Sequence, residues 1–172
     1  MMLEIALEAD AEWDSRRQAA LSWDELVRAA AEAAIAESAF PQLTTSERPV
    51  ELSVRLAGDE EVRALNAKWR GKDKATNVLS FPLADSDDLQ FANIPGQELL
   101  LGDIILARGV CEAEATEKGV SVQDHATHLL VHGTLHLLGY DHHDDSAAAD
   151  MELREVRALA RLGIADPYAV NG

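Results

Sequence analysis

All six histidines of the chain fall between residues 125 and 143. His132 and His136 are four residues apart, so on a helix they share one face, about 6 Å apart along its axis. Gly139 follows three residues after His136 and can end the helix in a left-handed conformation. The chain can then fold back and bring His142 towards the same point. This spacing predicts three neutral nitrogen ligands for one metal ion and an open fourth position, as in a catalytic zinc site.

The alternative for two histidines four apart on an apolar helix is partly buried packing, which is the commoner outcome for such a pair alone. The third histidine, placed after a glycine at the helix end, favours a metal site. One group of zinc proteases has the same spacing, with glutamate directly after the first histidine as general base. Gly133 occupies that position here. The ligands are therefore predicted without the protease base, which argues against peptide hydrolysis.

The composition predicts one globular domain, residues 1–172, with a sizeable core. No apolar run approaches the roughly 18 residues of a membrane helix, and the acidic N-terminus lacks the basic start of a signal peptide. The single cysteine, Cys111, excludes an internal disulfide and fits a reducing compartment. We therefore expect a cytoplasmic protein that does not interact with membranes.

The net charge of −16 is unusual for a protein that acts on nucleic acid, because neutralisation of phosphates drives such binding. The basic residues are clustered, however, and only Asp73 is acidic among residues 63–74. By itself this cluster indicates a solvated helix end and loop. It would gain a functional meaning if it faced the metal. Its basic members are Arg63, Lys68, Arg70, Lys72 and Lys74.

The elements that must position these residues follow from periodicity. Apolar residues alternate with polar ones in residues 2–8 and 50–56, which predicts two strands with one solvated face each. Residues 77–82 end at a proline typical of an edge strand, and residues 99–107 are nearly all apolar, which predicts two more strands. Capping residues and glycines predict helices at 22–38, 59–70, 110–117, 121–138 and 144–162. Residues 84–97 are acidic and turn-rich, which predicts a mobile loop. We expect an α/β (α+β) domain with a mixed sheet of about four strands, packed helices and a histidine helix like those of zinc hydrolases.

Two segments resemble a known family. They are HGTLHLLGYDH at residues 132–142 and LNAKWRGKDKATNVLSFP at residues 65–82, joined by LGDI at residues 101–104. These residues are similar to the YbeY family of bacterial metal-dependent endoribonucleases, which mature the 3′ end of small-subunit (16S) ribosomal RNA and take part in ribosome quality control. The resemblance spans residues 65–142. Trp69 stands where tyrosine or phenylalanine is frequent, and Ala75 where proline is, which affects local loop geometry only.

The resemblance implies that His132, His136 and His142 bind one Zn²⁺ ion and that Arg70 is the catalytic basic residue across the cleft. A planar guanidinium can contact two oxygens of the phosphate under attack. The nucleophile is either water ionised by the zinc or the adjacent ribose 2′-hydroxyl. The implied partners are single-stranded regions of ribosomal RNA, proteins of the small ribosomal subunit or an assembly GTPase.

Four other polar residues near the motif have less specific roles. Asp141 and Asp103 could orient a ligand imidazole, but a helix cap or a backbone hydrogen bond is the commoner role for each. His125 and His128 precede the first ligand on the same helix, and packing or support of the ligands is the better interpretation. Two other functions stay open: a zinc-dependent peptidase or other hydrolase with a base from outside the motif, and a non-catalytic ribosome-assembly factor with a structural metal.

Overall fold

A computed structural model of the chain describes residues 3–13, 22–46, 48–90, 92 and 98–169. Within these residues, four strands form one mixed sheet in the order β1-β2-β4-β3. They are β1 (Leu3–Ala9), β2 (Val50–Ala57), β3 (Val78–Pro82) and β4 (Leu99–Ala107). Strands β1, β2 and β4 are parallel, and β3 runs antiparallel to β4 at the edge. The predicted mixed sheet and the edge strand that ends at Pro82 are confirmed.

Six helices surround the sheet in the described part of the chain: α1 (Trp23–Ala36), α2 (Asp59–Arg70), α3 (Ser86–Gln90), α4 (Arg108–Lys118), α5 (Val122–Leu137) and α6 (Asp145–Arg161). Short 3₁₀ turns occupy Ala11–Trp13 and Pro41–Thr44. The predicted capping box of α1 is present, because the Ser22 hydroxyl accepts from the backbone of Glu25 and the Glu25 carboxylate accepts in return. None of the described helices is both long enough and apolar enough to cross a membrane.

The predicted mobile loop at residues 84–97 is wrong for its first part. Helix α3 forms there because the side chains of Asp85 and Asp88 accept hydrogen bonds from each other's backbone N–H, at 2.9 and 3.0 Å. Leu89 of this helix is buried in the main core, which an acidic, turn-rich composition did not indicate. Residues 91 and 93–97, like residue 2 of the first predicted strand, lie outside the described residues.

Two hydrophobic cores lie on opposite faces of the sheet. The larger core joins buried side chains of α1, α5 and α6 to the strands. The smaller one lies under α2 and consists of Ala57, Val62, Leu79, Ile105 and Ala107. Helix α2 covers the second face only beside β3 and β4. A groove lined by residues of β1, β2, β4 and α2 therefore stays open next to this helix. The cysteine Cys111 is buried in the larger core, and burial raises the pKa of its thiol to about 12, so it is an unreactive packing residue.

Gly102, in the LGDI segment, allows the site to form. The pairing of β2 with β4 shifts by one residue at this point, which leaves a β-bulge at Leu101. Gly102 has φ +142°, and a Cβ here would lie 2.3 Å from the carbonyl oxygen of Phe81 and 2.8 Å from Cδ2 of Leu137. The glycine therefore lets the edge strand and the last turn of the histidine helix approach β4 closely.

Candidate metal centre

Helix α5 carries the histidine pair and is otherwise largely buried. The hydroxyl of Ser121 accepts a hydrogen bond from the backbone of Asp124 at 3.0 Å, as predicted for the cap. Nearly all later residues of the helix are buried, but His132 and His136 stay half-exposed on one face. Gly133 points towards the sheet, where a Cβ would lie 3.1 Å from Cγ2 of Ile104. The position that carries the general base in zinc proteases is thus closely packed against β4 in this chain.

The end of α5 turns the chain back as the sequence predicts. Gly139 has φ +97°, its N–H donates to the carbonyl of His136 at 3.0 Å, and the N–H of Tyr140 donates to that of Leu135 at 3.1 Å. These two bonds form a Schellman motif, in which glycine accommodates the left-handed conformation. Gly139 therefore ends the helix and directs the following residues back over its tip.

Tyr140 then anchors the loop that carries the third histidine. Its hydroxyl accepts a hydrogen bond from the backbone N–H of Ala39 at 2.9 Å. The guanidinium of Arg154 lies 4.8 Å from the centre of its ring, and the same guanidinium donates to the carbonyl of Glu37 at 2.7 Å. The loop is thus fixed to the C-terminal end of α1 and to the middle of α6, two residues before His142.

This turn brings together the three predicted ligands. One ring nitrogen from each of His132, His136 and His142 lies within 4.8 Å of the others. Two nitrogens bound to one zinc at about 2.0–2.1 Å cannot be more than about 4.2 Å apart, so the cluster needs a small closing movement. The side chain of His142 is 58 % exposed and is free to make it. Burial, followed by the charges of the two neighbouring imidazoles, lowers the pKa of His136 to about 4, which keeps this imidazole neutral and able to bind a cation.

Glu155, on α6, supports the cluster from behind. Its Oε2 lies 3.0 Å from Nδ1 of His132, and its Oε1 lies 2.7 Å from Nε2 of His128 and 2.7 Å from the hydroxyl of Tyr168. Because a carboxylate only accepts hydrogen bonds, Nδ1 of His132 must carry the proton, and its Nε2 is left with a lone pair for a cation. This carboxylate–imidazole pair is the usual arrangement behind a metal-bound histidine.

The charge of Glu155 is stabilised although the residue is only 1 % exposed. Burial alone would raise its pKa, but the hydrogen bonds from His128, His132 and Tyr168 outweigh burial and lower the pKa to about 2. The apolar stripe of α6 assigns the inward face to Met151, Val156, Leu159 and Leu162, of which Val156 and Leu162 are only half-buried. Sequence reasoning missed Glu155 because a glutamate on an amphipathic helix is ordinarily placed on the solvent face.

The other polar residues near the motif lie outside the group of three histidines. His125 is buried and bonded to Glu114 at 2.7 Å, and His128 is bonded to Glu155, so both have the supporting and packing roles expected of them. Asp141 accepts a hydrogen bond from the backbone N–H of His142 at 2.7 Å, again as expected. Asp103 lies in the groove on the second face of the sheet rather than in the cleft of the histidines, and among the described residues it makes no side-chain hydrogen bond.

Arg70 and the three histidines line one cleft of about 530 Å³. Arg70 is the last residue of α2, and its side chain is exposed without a hydrogen bond or ion pair to any other described residue. Its backbone position is well fixed. Gly71 ends the helix at φ +69°, and the buried side chain of Asn66 donates to the carbonyl of Lys74 at 2.9 Å, which holds the following loop against α2.

The basic residues between residues 63 and 74 differ in whether they form salt bridges. Arg63 pairs with Asp73 at 2.9 Å and with Glu60 at 3.5 Å, so its charge is locally balanced. No described acidic side chain forms a salt bridge with Lys68, Arg70, Lys72 or Lys74, all of which are exposed. Four unpaired positive charges therefore lie within seven residues of a strongly acidic chain, and one of them, that of Arg70, lines the cleft.

The α+β fold and the imidazole cluster define a protein with a group of side chains able to hold a metal ion. Comparison with known proteins identifies the family. A family model described as endoribonuclease YbeY matches residues 11–163. The endoribonuclease YbeY of Sphingopyxis alaskensis is 53 % identical over 169 residues, which cover 98 % of each chain. That of Agrobacterium fabrum is 46 % identical over 169 residues, which cover 97 % of this chain and 94 % of that protein. The chain belongs to the YbeY endoribonuclease family and is a nuclease of the hydrolase class.

A solved structure supports the fold independently. The solution structure of TM1509 from Thermotoga maritima matches with a TM-score of 0.53 and 20 % identity, and the match covers 97 % of this chain and 100 % of that one. At this identity the likeness concerns the fold alone. It agrees with a single α+β domain in which the sheet and helices are arranged as described above.

Proposed function

We propose that this chain, residues 1–172, is a zinc-dependent endoribonuclease domain specific for single strands. It acts in the cytoplasm in the 3′-end maturation of small-subunit ribosomal RNA and in ribosome quality control. The observation that carries this proposal is the pairing, in one cleft, of a three-imidazole cluster with the unpaired guanidinium of Arg70, in a chain of an endoribonuclease family.

In this proposal, His132, His136 and His142 hold one Zn²⁺ ion. The donor set fits, because three neutral nitrogens suit zinc, Glu155 fixes the protonation of His132, and the low pKa of His136 removes a competing proton. When bound, the ion supplies Lewis acidity at the phosphodiester to be cleaved. Because none of the three donors carries a charge, the positive charge of the ion is not cancelled by its ligands.

Arg70 binds the phosphate from the opposite wall of the cleft. Its planar guanidinium donates two parallel hydrogen bonds to non-bridging oxygens, which orients the phosphodiester and stabilises the negative charge that builds up during cleavage. An exposed side chain on a fixed backbone suits this task, since it can adjust to the sugar–phosphate chain while its Cα stays in place. Ser80 of the same cleft offers a further polar contact, whereas the Asn77 amide already donates to Glu114 and accepts from the backbone N–H of Val78.

The charge distribution supports a need for partners. Apart from the cluster near Arg70 the chain is acidic, with a net charge of −16, so we propose that it binds free RNA weakly and is positioned by ribosomal RNA together with a small-subunit protein or an assembly GTPase. Because few phosphates are contacted, the affinity for a short RNA should depend only weakly on salt concentration. A slope that indicates six or more phosphate contacts would contradict this part of the proposal.

The test is metal removal and replacement. Protein stripped with a chelator should lose cleavage of single-stranded RNA and recover it with one equivalent of zinc, whereas an RNA duplex and casein should stay intact. His142→Ala should bind zinc poorly and be inactive, while His143→Ala, a change of the neighbouring exposed histidine outside the cluster, should behave as wild type. RNA cleavage by the fully metal-free protein, or casein cleavage that depends on His142, would reject the proposal.

A further inference from the structure

Trp69 is the most exposed of the large hydrophobic side chains in the described part of the chain, at 63 %. It directly precedes Arg70 in the last turn of α2, and its backbone is fixed by the same Gly71 and Asn66 contacts. An exposed indole on a rigid element exposes apolar area to water without packing in return, which is typical of a binding surface rather than of a folding contact.

Two concave surfaces meet at this side chain. Trp69 and Phe81 both line the cleft that contains Arg70 and the histidines. Both also line the groove of about 790 Å³ on the second face of the sheet, where Leu65, Leu83 and Ile105 are their apolar neighbours. An apolar group that enters the groove from the cleft would therefore reach Trp69 and Phe81 first.

The charges around Trp69 distinguish its cleft side from its groove side. Nζ of Lys68 lies 5.0 Å from the centre of the indole ring, and Arg70, the next residue in the chain, lines the cleft, so positive charge is available beside the ring at the cleft. At the distant end of the groove, Arg55 is already paired with Asp10 and Glu61 at 2.8 and 2.9 Å, and Glu8 adds negative charge. This distribution fits a ligand with an anionic backbone at the cleft and one flat apolar group directed into the groove.

We propose that Trp69, with Phe81 beside it, is a stacking platform for one unpaired nucleobase next to the phosphate that Arg70 binds. This inference rests on the proposed function, since it names a base subsite for the same RNA. A flat indole can stack on any base, so the platform contributes affinity with little sequence preference. It also favours single strands, because a base in a duplex is already stacked on its neighbours and paired, and would have to leave the helix to reach Trp69.

The test measures binding with a cleavage-resistant probe. Short 2′-O-methyl phosphorothioate oligonucleotides, each with one abasic position, are titrated into the zinc-loaded protein and followed by anisotropy of a terminal dye. For the wild type, one abasic position should weaken binding about 5- to 100-fold more than the others, which is the range for the loss of one base–aromatic stack. Trp69→Ala should weaken binding of the intact oligonucleotide to a similar extent and abolish the dependence on position, whereas Trp69→Phe should keep it.

Controls separate this inference from the proposed function. Leu153→Ala removes an exposed apolar side chain of α6 that lines neither the cleft nor the groove, and should leave binding unchanged. Two results would overturn the platform alone. One is equal affinity for all abasic positions in a wild-type protein that cleaves ordinary RNA, and the other is wild-type affinity of Trp69→Ala for the intact oligonucleotide. Loss of binding to a ribosomal protein in Trp69→Ala, with oligonucleotide binding intact, would assign the surface to a protein and overturn it as well. A wild-type protein that cleaves no RNA would overturn the proposed function and the platform together.

Discussion

The two walls of the cleft are held in place by different means. On the histidine wall, His132 is bonded to a buried carboxylate that also accepts from His128 and Tyr168. On the arginine wall, the backbone around Arg70 is held by Asn66 and Gly71, but the Arg70 side chain contacts no described partner. The histidine wall therefore fixes the side-chain atoms of one ligand, His132, whereas the arginine wall fixes only the point from which the Arg70 side chain extends.

This difference matches what each wall is proposed to bind. A small cation requires donors within a few tenths of an ångström, and a buried hydrogen-bonded support provides that accuracy. A flexible polynucleotide arrives in many conformations, and a long exposed side chain can follow it. Changes to the histidine wall should therefore alter metal affinity and stability, whereas changes to the arginine wall should alter RNA binding and cleavage.

The variant that should distinguish the two walls most clearly is Arg70→Ala. Loss of a group that stabilises the developing charge typically costs about 10²–10³ in kcat. Because this side chain is exposed and unpaired among the described residues, the zinc content and the free energy of unfolding should stay at wild-type values. Cleavage rates at saturating RNA, zinc analysis and urea unfolding check the three expectations.

Two further variants show whether the effect is local. Lys72→Ala removes an equal charge two residues away, outside the lining of the cleft, and should reduce cleavage much less. Arg70→Lys keeps the charge but loses the paired hydrogen bonds, and should fall between wild type and Arg70→Ala. Equal losses in Lys72→Ala and Arg70→Ala would mean that the arginine wall acts only as a general source of positive charge.

A smaller effect, on the other wall, is expected from Glu155→Gln. The amide has nearly the same shape but carries no charge, so its oxygen accepts a weaker hydrogen bond from Nδ1 of His132 and leaves the imidazole a weaker ligand for a cation. Loss of such support typically lowers metal affinity about 10- to 100-fold. Competition with a zinc-binding dye measures this affinity directly.

The control for this change lies on the same helix. Glu152→Gln alters an exposed glutamate of α6 and should leave zinc affinity unchanged. Activity of Glu155→Gln at saturating zinc should approach that of the wild type, because the carboxylate positions a ligand and does not contact the RNA. Wild-type zinc affinity in Glu155→Gln would show that the histidine wall does not depend on its buried support.

The sequence was most informative where chemistry and local geometry coincide. The histidine spacing, Gly139 and the cap at Ser121 are features within one helix and the turn after it, and the structure forms each of them. Strands β1 and β2 followed from apolar alternation, β4 from its nearly continuous apolar run, and the edge position of β3 from Pro82. These patterns depend on neighbours in the chain, so the sequence contains them directly.

Glu155 and Tyr168 could not be predicted in the same way. They lie 23 and 36 residues after His132, and their position behind it depends on how α6 packs against α5. A polar residue that is buried only through tertiary contacts looks like a surface residue in the sequence. The cleft position of Arg70 was available only from a family resemblance for the same reason, because residues 65–82 and 132–142 meet through the sheet.

The smallest effect expected on the histidine wall is a pH dependence of the metal-free protein. In the unfolded chain, His136 takes up a proton near pH 6.5, but in the folded metal-free protein its pKa is about 4. Acidification from pH 6.5 to 4 therefore favours the unfolded state, and after allowance for partial exposure of the imidazole the loss should be about 1–2 kcal/mol. Urea unfolding with a chelator present measures it.

His136→Asn should reduce the dependence of the free energy of unfolding on pH between 6.5 and 4. His143→Asn, a change of the exposed histidine beside the cluster, and Arg70→Ala, on the other wall, should leave that dependence unchanged. Zinc should raise the stability of the wild type, and it should do so less at low pH, where protons compete for the three ligands. The contrary result is a free energy of unfolding that depends on pH with the same slope in the metal-free wild type and in His136→Asn. In that case the neutral state of His136 costs no stability at low pH, and this expected difference between the two walls is wrong.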